Sequence, residues 1–174
     1  MSGHSKWSNI KRQKEANDSK RGQVFSKLSR LITIAARDGG GDVDANATLR
    51  LAVDRAKAAN MPKENIQRAI DKGAGKGGEG DNLYELTYEG FGPNGEAFFI
   101  KAITDNKNRT VSELRNIFSR VGGSLGATGC TAYIFGDAPD APLFKTLASD
   151  AAGKLYDALC EQDDVQTVFA NFDL

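Results

Sequence analysis

Gly73-Ala74-Gly75-Lys76-Gly77-Gly78-Glu79-Gly80 runs straight into Asp81-Asn82-Leu83-Tyr84-Glu85-Leu86-Thr87-Tyr88. Across this stretch the spacing of apolar residues changes. Upstream, apolar residues recur every three or four positions, as on one face of a helix; downstream, Tyr84, Leu86 and Tyr88 alternate with polar neighbours, as in a half-buried strand. The glycines between carry no Gly-Lys-Ser/Thr and no apolar strand precedes them, so they read as a flexible linker and not as a phosphate loop. The chain therefore divides into a helical part and a mixed part.

On the upstream side, Val24, Phe25, Leu28, Leu31, Ile32 and Ala35 form one apolar stripe, with Lys27, Arg30 and Arg37 away from its centre. Gly39-Gly40-Gly41 stops that helix, because glycine accepts the left-handed backbone at a helix end. Leu49, Ala52, Val53 and Ala56 make a second helix, and Met61-Pro62 opens a third with Ile66, Ala69 and Ile70 inward. Three short helices with small apolar faces are expected to pack as a bundle over residues 17–73, behind a basic arm at 1–16 and ahead of a linker at 74–80.

Downstream, Gly92-Pro93-Asn94-Gly95 turns the first strand into an apolar partner, Ala97 to Ile103. Thr110-Val111-Ser112-Glu113 has the form of a capping box, and the helix it predicts carries Val111, Leu114, Ile117, Phe118 and Val121 inward. Thr131 to Phe135 and Leu143 to Leu147 are read as strands. Ala151, Ala152, Leu155, Tyr156 and Leu159 mark a helix capped by Ser149 or Asp150, and Val165 to Phe172 a closing strand. The expected class is α+β: an N-terminal three-helix bundle, then at 81–174 a ferredoxin-like α/β sandwich with an antiparallel or mixed sheet.

Charge is sorted along this plan. Residues 1–37 hold nine Lys/Arg against two acids, net +7; residues 38–72 balance, and residues 73–174 come to −7. A basic segment on an acidic body points to a polyanionic partner, nucleic acid above all. Lys6, Lys11, Arg12, Lys14, Lys20, Arg21, Lys27 and Arg30 are the candidate phosphate contacts, and Trp7 either stacks on an unpaired base or anchors the terminus in an apolar groove. Lys107, Asn108 and Arg109, before an expected helix start, are a second candidate: an anion held between Lys107 and Arg109, or an Asp105–Arg109 pair within a turn.

Several classes fall away. His4 is the only histidine, and no nucleophile, base and oxyanion site come together, so no enzyme is expected. Cys130 and Cys160 lack metal-ligand spacing and read as small buried hydrophobes; no metal, cofactor or small-molecule substrate is expected. Asp157, Glu161, Asp163 and Asp164 read as a solvated face, and Tyr88 to Gly92 as a hairpin end and not an RNA-recognition motif. No run is long enough to span a bilayer and the first thirty residues carry no apolar leader, so a cytoplasmic protein without membrane contact is expected.

The chain resembles the YebC family, which includes the mitochondrial translational activator of cytochrome c oxidase subunit I. The resemblance rests on Gly3-His4-Ser5-Lys6-Trp7, Asn9-Ile10-Lys11, Gly39-Gly40-Gly41-Asp42, Leu49-Arg50-Leu51-Ala52 and Ala56-Lys57-Ala58-Ala59-Asn60-Met61-Pro62-Lys63. Thr87-Tyr88-Glu89-Gly90, Thr104-Asp105-Asn106-Lys107-Asn108-Arg109-Thr110 and Asp163-Asp164-Val165-Gln166 follow in order. Family members usually carry a third domain between the equivalents of Phe135 and Ser149; here it is expected to be absent near 136–148. The resemblance implies a non-enzymatic regulator of gene expression, in one of two forms. One is a translation factor on the ribosome and its RNA, the favoured partner because no helix-turn-helix reader or symmetric dimer interface stands out. The other is a transcriptional regulator on duplex DNA.

Overall fold

The computed structural model describes residues 3–76 and 82–173, with the side chains of residues 3–13 and 16 left out of the description. The chain forms two compact units, residues 1–80 and 81–174.

The first unit is three helices: α1 (Gly3–Gly39), α2 (Ala47–Ala58) and α3 (Lys63–Gly73). Ile32, Ala35 and Ala36 of α1, Leu49, Ala52, Val53 and Ala56 of α2, and Ile66, Ala69 and Ile70 of α3 share one core with Met61. The stripe predicted on α1 is the face that packs, except for Val24, which is exposed. Asn46 caps α2, its Oδ1 accepting from Leu49 N at 3.0 Å. Its Nδ2 donates to Ala35 O and Gly40 O, fixing the end of α1 against the start of α2. Gly73 is needed for close approach: a Cβ there would lie 2.2 Å from the Thr33 carbonyl oxygen. Helix α1 also runs back to Gly3, through the stretch expected as an arm.

The second unit is α+β. An antiparallel sheet in the order β3-β1-β2-β4 is built from β1 (Tyr84–Phe91), β2 (Ala97–Thr104), β3 (Ser124–Leu125) and β4 (Val165–Ala170). Helices α4 (Lys107–Arg120) and α6 (Asp150–Glu161) pack on one face through Leu114, Phe118, Leu155 and Leu159 against Phe98 and Ile100. Burial of each such aromatic is worth about 2–3 kcal/mol. The hairpin comes first, so the strand order along the chain differs from the β-α-β-β-α-β order of a ferredoxin-like layer, while the layering of helices on one sheet face is shared. Gly90 lets β3 and α4 close on β1, since a Cβ there would meet Ser124 O at 2.7 Å and the Phe118 ring at 2.8 Å.

Three local expectations are corrected. Ala132–Phe135 is a short helix, α5, which turns Ile134 and Phe135 onto the other sheet face beside Ala97, Phe99 and Phe169. Leu143 to Leu147 forms no strand and follows the body as an irregular strap. Helix α4 starts a turn before the predicted capping box: Asn106 is its cap, its Oδ1 accepting from Arg109 N at 3.1 Å, and Thr110 lies buried inside the helix. The thiols also differ from expectation, with Cys160 exposed and Cys130 half-buried.

Candidate nucleic-acid interface

Two groups of cations predicted from the sequence can be placed, one in each unit. On α1, position 21 lies four residues before Phe25 and position 14 seven before that, so Lys14 and Arg21 prolong the row that continues as Phe25, Leu28, Ile32 and Ala35. Downstream the row is packed against α2 and α3; upstream it is solvent-facing, and the described side chains from Lys14 to Gly22 are all exposed. One helix face thus changes from apolar to charged where it leaves the bundle, with exposed Asp18 between Lys14 and Arg21 on the same row. Arg21 marks the boundary, its guanidinium 5.6 Å from the Phe25 ring centroid. Lys20 and Lys27, seven residues apart, and Arg30 form a flanking row, with Lys27 and Arg30 half-buried. Arg37, at the end of the helix, is turned to Asp38 at 2.8 Å. The side chains of Lys6, Trp7, Lys11 and Arg12 lie outside the described residues.

The second group is tied into the fold. Arg109 Nη2 donates to Asp105 Oδ1 at 2.7 Å and to Asp164 Oδ2 at 3.1 Å. Those bonds, Asp164 first, push its already high pKa further up. Lys107 Nζ sits 4.0 Å from the Tyr84 ring centroid, and Asn108 is exposed. The Asp105–Arg109 pair is therefore present, and a further carboxylate joins it.

Asp164 is the residue that sequence reasoning placed on a solvated face; it is 1 % exposed. Thr110 donates to its Oδ2 at 2.7 Å, and its own N–H donates to Gln162 Oε1 at 2.7 Å. Gln162 in turn donates to Glu113 at 2.7 Å, so one network ties α4 to the α6–β4 connection. Two further buried acids had no sequence signal beyond their type. Glu89 on β1 accepts from Gly129 N, Thr131 N and the Thr131 hydroxyl at 2.6–2.7 Å. Burial pushes its carboxyl up, but the Thr131 hydroxyl and the two N–H groups outweigh that and hold it below the ordinary glutamate value. Glu96 is likewise lowered: burial works against it, and bonds from Ser149, its own N–H and Asn94 prevail. These acids act as internal caps. Among the described residues no group of three or more His, Cys, Asp or Glu could hold a metal ion, and no helix is long and apolar enough to cross a membrane.

Residues 5–76 match the TACO1/YebC protein N-terminal domain, and residues 83–139 match the TACO1/YebC second and third domain. A "Probable transcriptional regulatory protein" of Rubrobacter xylanophilus is 58% identical over 135 residues, covering 78% of this chain and 54% of that one. A protein of the same name from Pelotomaculum thermopropionicum is 48% identical over 185 residues, with 100% and 75% covered. Against several such curated relatives the chain spans only about half their length. The crystal structure of the conserved hypothetical protein Aq1575 from Aquifex aeolicus superposes with a TM-score of 0.80 at 35% identity, covering 90% of this chain and 91% of that one. With both matches running in register along the two units, the chain belongs to the TACO1/YebC family.

Proposed function

We propose that the chain is a non-enzymatic, cytoplasmic regulator of gene expression that binds nucleic acid through α1. The observation that carries this is the face of α1 that is apolar inside the bundle and charged beyond it, with Lys14 and Arg21 on either side of Asp18. An exposed helical row of Lys and Arg neutralises phosphates and releases counterions, whatever the base sequence. Lys14, Lys20, Arg21, Lys27 and Arg30, with Lys6, Lys11 and Arg12 further along the same helix, are the phosphate contacts, and Trp7 stacks or anchors. Lys107, Asn108 and Arg109 give a weaker second contact, because two carboxylates already hold Arg109. The segment 136–148 is the place where the family's third domain is missing.

Ribosomal RNA is the favoured partner, since phosphate contacts without a base-reading helix-turn-helix suit shape recognition. Duplex DNA is the second reading. It is favoured by the relatives' printed name and by the helical form of the cationic stretch, which suits a major groove.

The test is titration of the full chain with a ribosomal RNA fragment and with duplex DNA over a range of salt. RNA is expected to bind more tightly. Replacing Lys14, Lys20 and Arg21 together by Ala is expected to reduce the magnitude of the log–log salt slope by about 2–3. An unchanged slope would defeat the α1 interface, and tighter binding to duplex DNA would replace the favoured partner.

A further inference from the structure

The strap between α5 and α6 turns apolar side chains away from the protein while being fastened to it. Leu143 N donates to Ile134 O at 2.7 Å, and Thr146 N to Asn171 O at 2.8 Å. Lys145 pairs with Asp173, and Ser149 bonds to the buried Glu96 through both its N–H and its hydroxyl. Yet Leu143 is 72% exposed, Phe144 50%, Leu147 91%, and Tyr133 on α5 63%. The Tyr133 and Phe144 rings are in contact, centroids 6.1 Å apart. A loop held at four points gains nothing for its own fold by facing two leucines and two rings to water; a partner surface explains the arrangement.

We infer that this strap is a self-association surface, on which a second copy of this chain docks face to face. Three observations select that occupant. First, the unit as a whole is acidic, but residues 125–149 carry only Asp137, Asp140 and Lys145. Two identical faces therefore meet without strong like-charge repulsion, and phosphate has nothing to bind there. Second, a patch of rings and leucines with almost no charge complements itself, as a two-fold contact requires. Third, the area suffices: the four side chains leave on the order of 500 Å² open, so two copies bury about 1,000 Å², the lower bound of a specific interface. The match to the family's second and third domain ends at residue 139, inside this strap. The inference does not depend on the nucleic-acid reading.

Sedimentation velocity of the full chain from about 1 to 100 μM tests it. The mass is expected to rise from one chain to two across that range, and to stay doubled at about 1 M salt, where charge-driven contacts are screened. Leu143→Asp with Leu147→Asp is expected to weaken dimerisation at least tenfold with far-UV circular dichroism unchanged, since both side chains lie outside the core. Leu51→Asp, an exposed leucine on α2, is expected to leave it unaltered. Should the double variant unfold, Tyr133→Lys supplies the same readout. A chain that stays monomeric at the highest concentration, a dimer that dissolves in salt, or one that survives both strap variants overturns the proposal. A monomer that captures another protein or a lipid surface through the strap overturns it as well.

Discussion

The helical unit and the sheet unit treat charge in opposite ways. Residues 1–37 carry net +7, and among the described side chains of α1 Lys14, Lys20 and Arg21 face solvent. In the sheet unit the informative charges are negative and point inward: Glu89, Glu96 and Asp164 are each 5% exposed or less and saturated by hydrogen bonds. A charge kept in water costs little to maintain and remains available to a ligand. A charge buried in the fold must be paid for with fixed donors, and after that it holds architecture. The difference separates residues that can bind a partner from residues that position the chain, although both kinds are simply charged letters in the sequence.

The largest effect that could break this contrast is expected at Glu89. Glu89→Ala leaves the Thr131 N–H and hydroxyl unpaired in the interior and the Gly129 N–H unpaired near the surface, and should cost about 3 kcal/mol. Hydrogen exchange at the β1–β2 amides measures the loss, and nucleic-acid affinity of the folded protein should not change. Arg109→Ala comes next: it strips Asp164 of its cation, and with Arg109 itself partly solvated the cost is about 2 kcal/mol by urea unfolding. If that variant kept its stability and instead lost phosphate affinity, Arg109 would join the outward-facing class.

Acid gives a third, smaller effect. Glu89 and Glu96 ionise below the usual glutamate value, so in the acid range the folded chain binds fewer protons than the unfolded one. Their stabilisation is complete above about pH 4.3 and is lost as the pH falls through the depressed folded values. Urea midpoints compared at pH 7 and at about pH 3 should show the sheet unit weakened. The smallest stability effect sharpens the contrast from the other side. The triple Lys14, Lys20 and Arg21 to Ala replacement should move thermal stability by no more than about 0.5 kcal/mol while lowering affinity.

Sequence periodicity was sufficient where one face of an element is apolar and the other wet. The rows Leu49–Ala52–Val53–Ala56 and Leu114–Phe118 were legible for that reason, while the hairpin about Pro93-Asn94 followed from its turn residues and the cap of α6 was narrowed only to Ser149 or Asp150. The run Thr131 to Phe135 was not, because five residues, the last four apolar, fit a buried strand and a single helical turn equally well. The start of α4 was misplaced because Asn106 and Thr110, one turn apart, both have cap chemistry, and only the tertiary bond of Thr110 to Asp164 decides between them. The candidate site divides in the same way. The cations of α1 stood out by charge alone, with residues 1–16 expected as an arm and not as part of the helix, whereas the second carboxylate on Arg109 lies 55 positions away and required the fold.

Helix α1 has 37 residues, which at 1.5 Å of rise each makes a rod of about 55 Å. The portion upstream of Gln23 is roughly 30 Å of that, close to a full turn of a nucleic-acid duplex. Because the rod is continuous with the bundle, the angular phase of its leading cations is set by residues packed far behind them. Adding one alanine between Gly22 and Phe25 would swing everything ahead of it by about 100° without deleting a single charge. A footprint that shifts or vanishes after that insertion would mean the helix works as a ruler and a compass needle at once.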